Sequence, residues 1–386
     1  MSAGLPEWAI GPFSAPERVL DERPPVVFTC PVSGREIDWA AKDAFNPAAV
    51  VHNGRVCLLV RGEDSSARYA GTSRIGLATS DDGYNFTLEP EPVLAPGDDR
   101  WQAWEWPGGL EDPRLVASPD GDYVCTYTAF DGKVGCLFVA TSPDLLHWTK
   151  HGPAFAQTPY VRRQTKAGSI ITELKNGRLV AARIEGRYWM YWGEGLIFAA
   201  TSEDLIRWTP IEGEIAPDRY LTWNPEVTGP AGHWQIERIA GPRALHAVAW
   251  PRRHRFDSML TEPGPPAVLT RDGIVLIYNG ANHYEAGEPG TPAFAYQPGQ
   301  LLLDALEPSA VIGRLREPFL RIDPAEASGQ VGNVCFAQGL VAFESKWRLY
   351  VGLADSRIGV ATADIDRTAI GLNVDAEASV RRQPSL

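Results

Sequence analysis

Four acidic residues of this chain stand beside features that shape the backbone presenting them. Asp112 and Glu262 each precede a proline, Glu194 lies between two glycines, and Asp355 follows the apolar segment 350–353. A proline favours an extended conformation in the residue before it, so we expect Asp112 to be extended at the mouth of a strand. Paired carboxylates, one acting as acid and one as base, are the machinery of glycoside hydrolysis. These residues are therefore candidates for that chemistry.

Each of the four also has a plainer interpretation. Asp112 could form a surface salt bridge in a turn, and Glu194 could be exposed on a glycine-rich hairpin. Glu262 could belong to a rigid linker, because prolines are dense in the residues that follow it, and Asp355 could be an ordinary turn residue. The two interpretations differ in whether the carboxylates converge in the folded chain.

Composition and missing motifs argue against other function classes. The net charge of −12 gives no overall attraction to nucleic acid or anionic membranes. The five cysteines lack CxxC spacing, so neither a disulfide framework nor a zinc site is indicated, and no metal or cofactor is expected. Serine-hydrolase, HExxH, phosphate-loop and dinucleotide motifs are absent. No apolar run is long enough to span a membrane and no secretory signal is visible, which favours a cytoplasmic enzyme.

A repeated phrase indicates the elements that would carry these residues. Ala-Thr-Ser followed by an acidic turn begins at 78, 140 and 200, at intervals of about 60 residues, with weaker copies near 303 and 361. The residue pattern of each copy predicts a strand, then a turn, then a short strand. The pattern predicts an all-β, five-bladed β-propeller in a single domain, residues 1–376, and a β-sandwich array is the alternative. We expect an insertion loop at about 212–256 and a frayed tail at 377–386.

The chain resembles glycoside hydrolase family 130, the β-mannoside phosphorylases and β-mannosidases, which are five-bladed propellers. The matching segments, in order along residues 40–365, are Phe45-Asn46-Pro47, Arg61, 109–115, the repeated phrase, Tyr278-Asn279-Gly280, 299–314, 332–334 and 353–356. The resemblance implies that Asp112 is the general acid, relaying its proton through a mannose hydroxyl. It also implies that Asn46, Arg61 and Asp355 hold the mannose at the non-reducing end. Our candidate substrate-binding set is Asn46, Arg61, Asp64, Arg114, Arg183, Tyr278 and Asp355.

Two positions divide the family into phosphorylases and hydrolases. Phosphorylases carry phosphate-binding histidines where this chain has Ala182-Arg183 and Tyr278-Asn279-Gly280. A phosphate dianion needs several charged donors, so the loss weighs against phosphorolysis. Glu194 and Glu262 match the hydrolytic members, in which two glutamates replace phosphate and activate water.

We therefore predict an inverting exo-β-mannosidase acting with water on β-1,2-linked manno-oligosaccharides, with Asp112, Glu194 and Glu262 as catalytic residues. The cationic residues Arg162, Arg163, Lys166 and Arg183 could partly replace the histidines, so a phosphorylase that makes mannose 1-phosphate is one alternative. A non-catalytic sugar-binding propeller, or a five-bladed glycosidase acting on another sugar such as arabinan, is the other.

Overall fold

Almost all regular structure in the chain is β-strand. The computed structural model describes residues 4–20, 25–66, 71–213 and 245–366. In these ranges the helical elements are α1 (Gln102–Glu105) and one 3₁₀ turn (Pro324–Glu326), and none of them could cross a membrane. The predicted tail at 377–386, and most of the predicted insertion at 212–256, lie outside the described residues.

The strands follow one another along the chain with short connections. The first three are β1 (Glu17–Val19), β2 (Val27–Thr29) and β3 (Glu36–Asp38). The others, in order, are β4 (Asp43–His52), β5 (Arg55–Glu63), β6 (Ser73–Ser80), β7 (Thr87–Leu88), β8 (Gly109–Ala117), β9 (Tyr123–Phe130), β10 (Gly135–Ser142), β11 (Thr149–Pro153), β12 (Ser169–Lys175), β13 (Arg178–Ala181), β14 (Arg183–Ile184), β15 (Arg187–Trp192), β16 (Ile197–Ser202), β17 (Thr209–Pro210), β18 (Ala247–Ala249), β19 (Leu260–Pro263), β20 (Ala267–Thr270), β21 (Gly273–Ala281), β22 (Tyr296–Leu303), β23 (Val311–Arg314), β24 (Cys335–Phe343), β25 (Lys346–Leu353) and β26 (Arg357–Asp364).

Consecutive strands pair as antiparallel meanders. The meander β4–β5–β6–β7 is followed by β8–β9–β10–β11, and the last one, β24–β25–β26, is completed by β1 from the start of the chain. Neighbouring meanders touch through short parallel pairings, β6 with β8, β8 with β13 and β12 with β20. The predicted all-β architecture in one domain is therefore confirmed in its coarse form. The count of five blades stays a prediction.

The repeated phrase forms the same turn in successive copies. Ser142 Oγ and Asp144 Oδ1 each accept the backbone N–H three residues ahead, both at 2.8 Å. Ser202 and Asp204 repeat these two bonds at 2.9 and 2.8 Å. Short polar side chains that bond their own backbone stabilise turns, which explains why the sequence repeats them.

The sheets bury most of the large aromatic side chains between them. Trp39, Trp192 and Trp208 are almost fully buried, so core packing accounts for these tryptophans. All five cysteines are free and buried. Among the described residues no group of three or more His, Cys, Asp or Glu side chains could hold a metal ion.

Three inner strands carry a β-bulge near their first residues. The pairing register shifts between Phe45 and Ala48 in β4, between Glu111 and Arg114 in β8, and between Ala337 and Gly339 in β24. A bulge leaves an extra residue outside the ladder and turns its side chain in a new direction. The bulge of β8 contains the predicted acid Asp112, and the bulge of β4 contains the predicted substrate-binding residue Asn46.

The conformation expected for Asp112 was wrong. Asp112 has a φ of 46° and Asn46 a φ of 45°, so both lie in the left-handed region although a proline follows each. Asn and Asp tolerate this region better than most residues, because their short side chains bond locally. The bulge demands the left-handed turn, and this demand overrides the extended preference of a residue before proline.

Candidate active site

The carboxylate of Asp112 lies in a buried, hydrogen-bonded position where β4, β5 and β8 meet. Its Oδ1 accepts bonds from Asn46 Nδ2 and Arg61 Nη1, both at 3.0 Å, and the residue is only 6 % exposed. Arg61 also reaches Glu111 Oε1 through Nη2 at 2.9 Å. The two successive acidic residues of β8 therefore share one guanidinium, and the structure brings Asn46, Arg61 and Asp112 together; their predicted contact with mannose stays a prediction.

The groups around Asp112 favour the ionised form of its carboxyl group. Burial alone would raise the pKa of its carboxyl, but the charges of Arg61 and Lys166 and the bond from the Asn46 amide together hold that pKa well below its usual range.

The backbone places Glu194 between Lys166 and the strand that carries Glu262. The N–H of Gly193 donates to the carbonyl of Lys166 at 2.9 Å, and the N–H of Thr261 donates to the carbonyl of Gly195 at 3.1 Å. Gly193 has a φ of 119°, a conformation that is essentially confined to glycine. The glycines around Glu194 are therefore required by a tight connection between β15 and β16, and this connection sets Glu194 beside Glu262.

Glu262 is a buried carboxyl group with incomplete hydrogen bonding. The residue is 3 % exposed, and its Oε1 has no hydrogen-bond partner. The nearest cation is Arg114, whose Nη2 lies 3.6 Å from Oε1. Burial and then the negative charge of Glu194 raise the pKa of Glu262 to about 8, against the opposing influence of Lys166 and Arg114. A carboxyl group with this pKa can exchange a proton near neutral pH.

Lys166 links the two halves of the site. Its Nζ lies 3.9 Å from both Glu111 Oε2 and Glu194 Oε1. Burial would lower the pKa of this ammonium group, but the surrounding carboxylates raise it, so Lys166 stays charged. The sequence marked Lys166 only as a partial substitute for a phosphate-binding histidine. Lys166 lies in the middle of the site because of a loop contact, and no local sequence motif predicts that contact.

Arg114 connects the segment of Asp112 with the segment that follows Glu262. Its Nε donates to the carbonyl of Gly264 at 2.9 Å, Nη2 to that of Pro263 at 2.6 Å, and Nη1 to that of Asp112 at 3.1 Å. These bonds engage every nitrogen of the guanidinium with backbone. Arg114 therefore holds these backbone segments together, and its predicted contact with substrate stays a prediction.

Asp355 and Tyr296 also lie near the charged groups of the site. Burial and the charges of Asp112 and Glu111 raise the pKa of Asp355 to about 6, while Arg61 and Lys166 act in the opposite direction. Burial, followed by the charges of Glu194, Glu262, Asp355 and Asp112, raises the pKa of Tyr296 well above its usual value. The sequence predicted Asp355 but missed Tyr296, because a tyrosine at the start of a strand resembles any core aromatic.

The other three predicted substrate-binding residues are bonded elsewhere. Asp64 pairs with Arg74 at 2.6 Å, Arg183 donates to the carbonyls of 186 and 203, and the Tyr278 hydroxyl bonds Asp257 at 2.7 Å. The structure does not bring these three together with Asp112 and Glu262 through any hydrogen bond or ion pair between described residues. Their predicted contact with substrate stays a prediction.

The arrangement can support acid–base chemistry on an uncharged polar ligand. One side presents Asp112 with its amide and guanidinium partners, the other presents Glu194 and Glu262, and Lys166 lies between them. Carboxyl groups whose environments drive their pKa values apart are a common signature of an acid–base pair. Convergence of Asp112, Glu194 and Glu262 favours the catalytic interpretation of these residues over the surface and linker alternatives.

Comparisons with known proteins agree with this chemistry. A family model described as β-1,4-mannooligosaccharide phosphorylase matches residues 20–237. A 1,2-β-oligomannan phosphorylase of Thermoanaerobacter sp. (strain X514) is 29 % identical over 86 % of this chain and 93 % of its own length. This chain is also similar to a solved glycosyl hydrolase from Bacteroides ovatus, with 43 % identity, a TM-score of 0.83, and coverage of 96 % and 98 % of the two chains.

A further solved structure is similar at a comparable level. It is 40 % identical with a TM-score of 0.82, and the match covers 96 % of this chain and 99 % of the other. It is described in the words "The GH130 family of mannoside phosphorylases contains glycoside hydrolases that target beta-1,2 mannosidic linkages in Candida mannan". The relatives thus include proteins named as phosphorylases and proteins named as hydrolases.

Proposed function

This chain belongs to glycoside hydrolase family 130, and on that premise we propose that it is an inverting exo-β-mannosidase. It would release mannose from the non-reducing end of β-1,2-linked manno-oligosaccharides, with water as the second substrate. The general assignment, an enzyme that processes mannosides, follows from the family. Hydrolysis and the β-1,2 linkage are the finer parts of the proposal.

The observation that carries the proposal is the pair of carboxyl groups on the side opposite Asp112. Glu262 is buried with an unpartnered Oε1, and its raised pKa reflects first this burial and then the neighbouring charge of Glu194. A phosphate dianion placed beside these two groups would be repelled, whereas water would find two acceptors. Lys166 does not restore a phosphate site, because Glu111 and Glu194 already lie within 3.9 Å of its Nζ.

The proposed reaction is a direct displacement. Water attacks the anomeric carbon and gives a proton to Glu262, the bond from that carbon to the glycosidic oxygen breaks, and Asp112 delivers a proton to the departing oxygen through a mannose hydroxyl. Inversion follows from the single displacement. Arg61 and Asn46 hold Asp112, so the relay begins from a fixed carboxylate.

Proton placement in the free enzyme is the reverse of what the reaction needs. The low pKa of Asp112 leaves it ionised, and the pKa of about 8 on Glu262 leaves it protonated at neutral pH. The total proton count is nevertheless correct, since one proton resides on the pair. We infer that substrate binding selects the form with this proton on the acid side, and that this form is a minor one in the free enzyme.

Phosphorolysis is the second candidate, and the names of the curated relatives favour it over hydrolysis. The 1,2-β-oligomannan phosphorylase and a β-1,2-mannobiose phosphorylase from the same Thermoanaerobacter strain each match 86 % of this chain. Arg114 and Lys166 are the cations beside Glu262 and Glu194, at 3.6 and 3.9 Å. In this reaction phosphate replaces water as the nucleophile, and Asp112 keeps its role.

A product analysis separates the candidates. β-1,2-Mannobiose is incubated with the protein with and without inorganic phosphate, and the sugars are separated by anion-exchange chromatography. We expect free mannose at equal rates in both arms. Phosphate-dependent mannose 1-phosphate as the main product would overturn the hydrolase proposal. Saturable binding without turnover in either arm would leave the non-catalytic sugar-binding alternative.

A further inference from the structure

Gln338 lies at the point where the three bulged strands β4, β8 and β24 meet. It is the extra residue of the β24 bulge and is fully buried. Its Nε2 donates to two carbonyls, that of Asn46 and that of Pro113, both at 2.8 Å. One side-chain amide therefore joins the segment of Asn46 to the segment of Asp112.

The two accepting carbonyls belong to the left-handed segments of the site. Asn46 has its φ at 45°, and Pro113 directly follows Asp112, whose φ is 46°. Because each segment is bulged, its carbonyl falls outside the regular ladder and needs another donor. The NH₂ group supplies two hydrogens at once. The reversed amide would set its oxygen against both carbonyls, so only one orientation fits.

Neighbouring glycines show how closely the strands approach here. A Cβ on Gly339 would come within 2.7 Å of the Pro47 carbonyl, and one on Gly352 would collide with Asn46 Oδ1. Close approach of this kind leaves the bulges little freedom to move. The position of the Gln338 amide is therefore transmitted to Asn46, and from Asn46 Nδ2 to the carboxylate of Asp112 at 3.0 Å.

The strand of Gln338 is also hydrogen-bonded to β21, the strand that pairs with the strand of Glu262. The Asn279 side chain accepts the N–H of Ala337 at 2.8 Å and donates to the carbonyl of Ala337 at 3.0 Å. Asn279 also lies directly opposite Glu262 in the β19–β21 pairing. Two buried amides thus connect the strand of Glu262 to the bulges that carry Asn46 and Asp112.

We propose that Gln338 is a positioning residue that sets the acid Asp112 in its left-handed segment and in register with Glu262. The proposal rests on the acid role given to Asp112 above, but it holds for either nucleophile. Gln338 touches no reacting atom and acts through Asn46 and Asp112. A misplacement of about 1 Å far from the chemistry can cost about 10²-fold in rate, so loss of this amide should affect turnover.

The test compares Gln338→Met with Gln300→Met. Gln300 is an equally buried glutamine that forms two backbone bonds, both with Ile10, so it matches the loss of packing and of hydrogen bonds without contacting the site. Consumption of β-1,2-mannobiose is followed in phosphate buffer, which counts hydrolysis and phosphorolysis alike. Circular dichroism at the assay temperature confirms the folded fraction of each variant.

We expect Gln338→Met to lower kcat by 10- to 100-fold with a change in KM below threefold, and Gln300→Met to change neither. In an Asp112→Asn background, Gln338→Met should lower kcat less than twofold further, because its effect passes through Asp112. Equal kcat values for the two folded single variants would overturn the proposal, as would an undiminished effect in the Asp112→Asn background.

Two remaining outcomes are also decisive. If Gln338→Met is unfolded, Gln338→Asn replaces it, since the shorter amide stays polar but does not reach both carbonyls. It should show the same loss of kcat, and full activity would contradict the proposal. If the wild-type protein consumes no β-mannoside, the proposed function fails and the role of Gln338 falls with it. That failure is distinct, because it appears before any variant is made.

Discussion

Removing the charge from either glutamate tests water activation directly. Glu262→Gln and Glu194→Gln should each lower kcat by about 10²–10⁴-fold with substrate binding nearly intact, because general-base catalysis is lost. Asp112→Asn should act similarly through loss of proton delivery. Steady-state kinetics on β-1,2-mannobiose gives both parameters. Glu173→Gln is the control, since Glu173 pairs with Lys175 on β12. Near-full rates for both glutamine variants would move water activation to other residues.

Arg61 should behave differently from the glutamates. Its guanidinium bonds Asp112, Glu111 and Ser73, and the family resemblance assigns it to the mannose subsite. Arg61→Ala should therefore raise KM as well as lower kcat. Isothermal titration with a β-mannobiose in an inactive Asp112→Asn background separates the two effects. Unchanged affinity in that background would limit Arg61 to holding the acid.

The coupling between Glu194 and Glu262 predicts opposite pH shifts for two variants. The reaction needs the one proton shared by Asp112 and Glu262, so kcat/KM should fall as the pH rises through the pKa of about 8 on Glu262 and this proton is lost. Glu194→Gln removes a negative neighbour and lowers this pKa, which moves the alkaline limb to lower pH. Lys166→Gln removes a positive neighbour and moves the alkaline limb to higher pH. Limbs that stay in place in both variants would exclude Glu262 as the titrating base.

The sequence alone identified the candidate catalytic residues that stand next to a proline or a glycine. Asp112, Glu194 and Glu262 stood out because proline or glycine adjoins each, and the structure brings all three together. Lys166, Tyr296 and Gln338 were not found as members of the site, because their importance comes from contacts between distant strands. Tyr278 fitted a family motif, yet its hydroxyl bonds the buried Asp257. Local spacing does not encode such partners.

At the scale of elements, the connection between β15 and β16 makes a prediction of its own. Gly193→Ala places a Cβ against the Leu196 carbonyl at a φ of 119°, so we expect a loss of more than about 1 kcal/mol of stability and a displaced Glu194. Activity should fall well beyond the folded fraction. Thermal unfolding and kcat are measured side by side.

Gly177→Ala is the matched control for that variant. Gly177 also has a positive φ, 77°, but a Cβ there meets nothing within 4 Å. It should lose stability from backbone strain and keep its kcat. If Gly193→Ala keeps full kcat as well, the glycine connection does not set the position of Glu194.

Turns stabilised by hydrogen bonds within a few residues were easier to predict than bulges that depend on a neighbouring strand. The Ser and Asp side chains of the repeated phrase bond their own backbone, so the turns could be expected from the sequence. The bulges at Asn46, Asp112 and Gln338 could not, because each depends on a neighbouring strand. The proline after Asp112 even predicted the wrong backbone conformation. Three-dimensional pairing, which a linear pattern does not contain, decided those positions.

At the scale of the whole molecule, β1 completes the sheet formed by the last strands. Val19 on β1 pairs with Ile358 on β26 and is 3 % exposed. Val19→Ala should cost about 1–3 kcal/mol from lost burial and the cavity left behind. Val27→Ala, at a position 49 % exposed, should cost less than about 0.5 kcal/mol. Urea unfolding gives both values, and equal losses would show that β1 adds little stability.

The pairing of β1 with β26 brings together two strands that lie far apart in the sequence. Residues near 4 and near 366 line one cleft, and the Ser14 N–H donates to the Thr362 carbonyl at 2.8 Å. A circular permutant that links residue 4 to residue 366 and opens at Asn176-Gly177 would keep almost every ladder of the described strands. In the natural chain, β1 and β26 pair although more than 300 residues separate them, so closing the loop between them costs the most conformational entropy. In the permutant the two strands are neighbours in sequence and pair as a hairpin. Refolding of the permutant should therefore be faster than that of the natural chain, with the site unchanged.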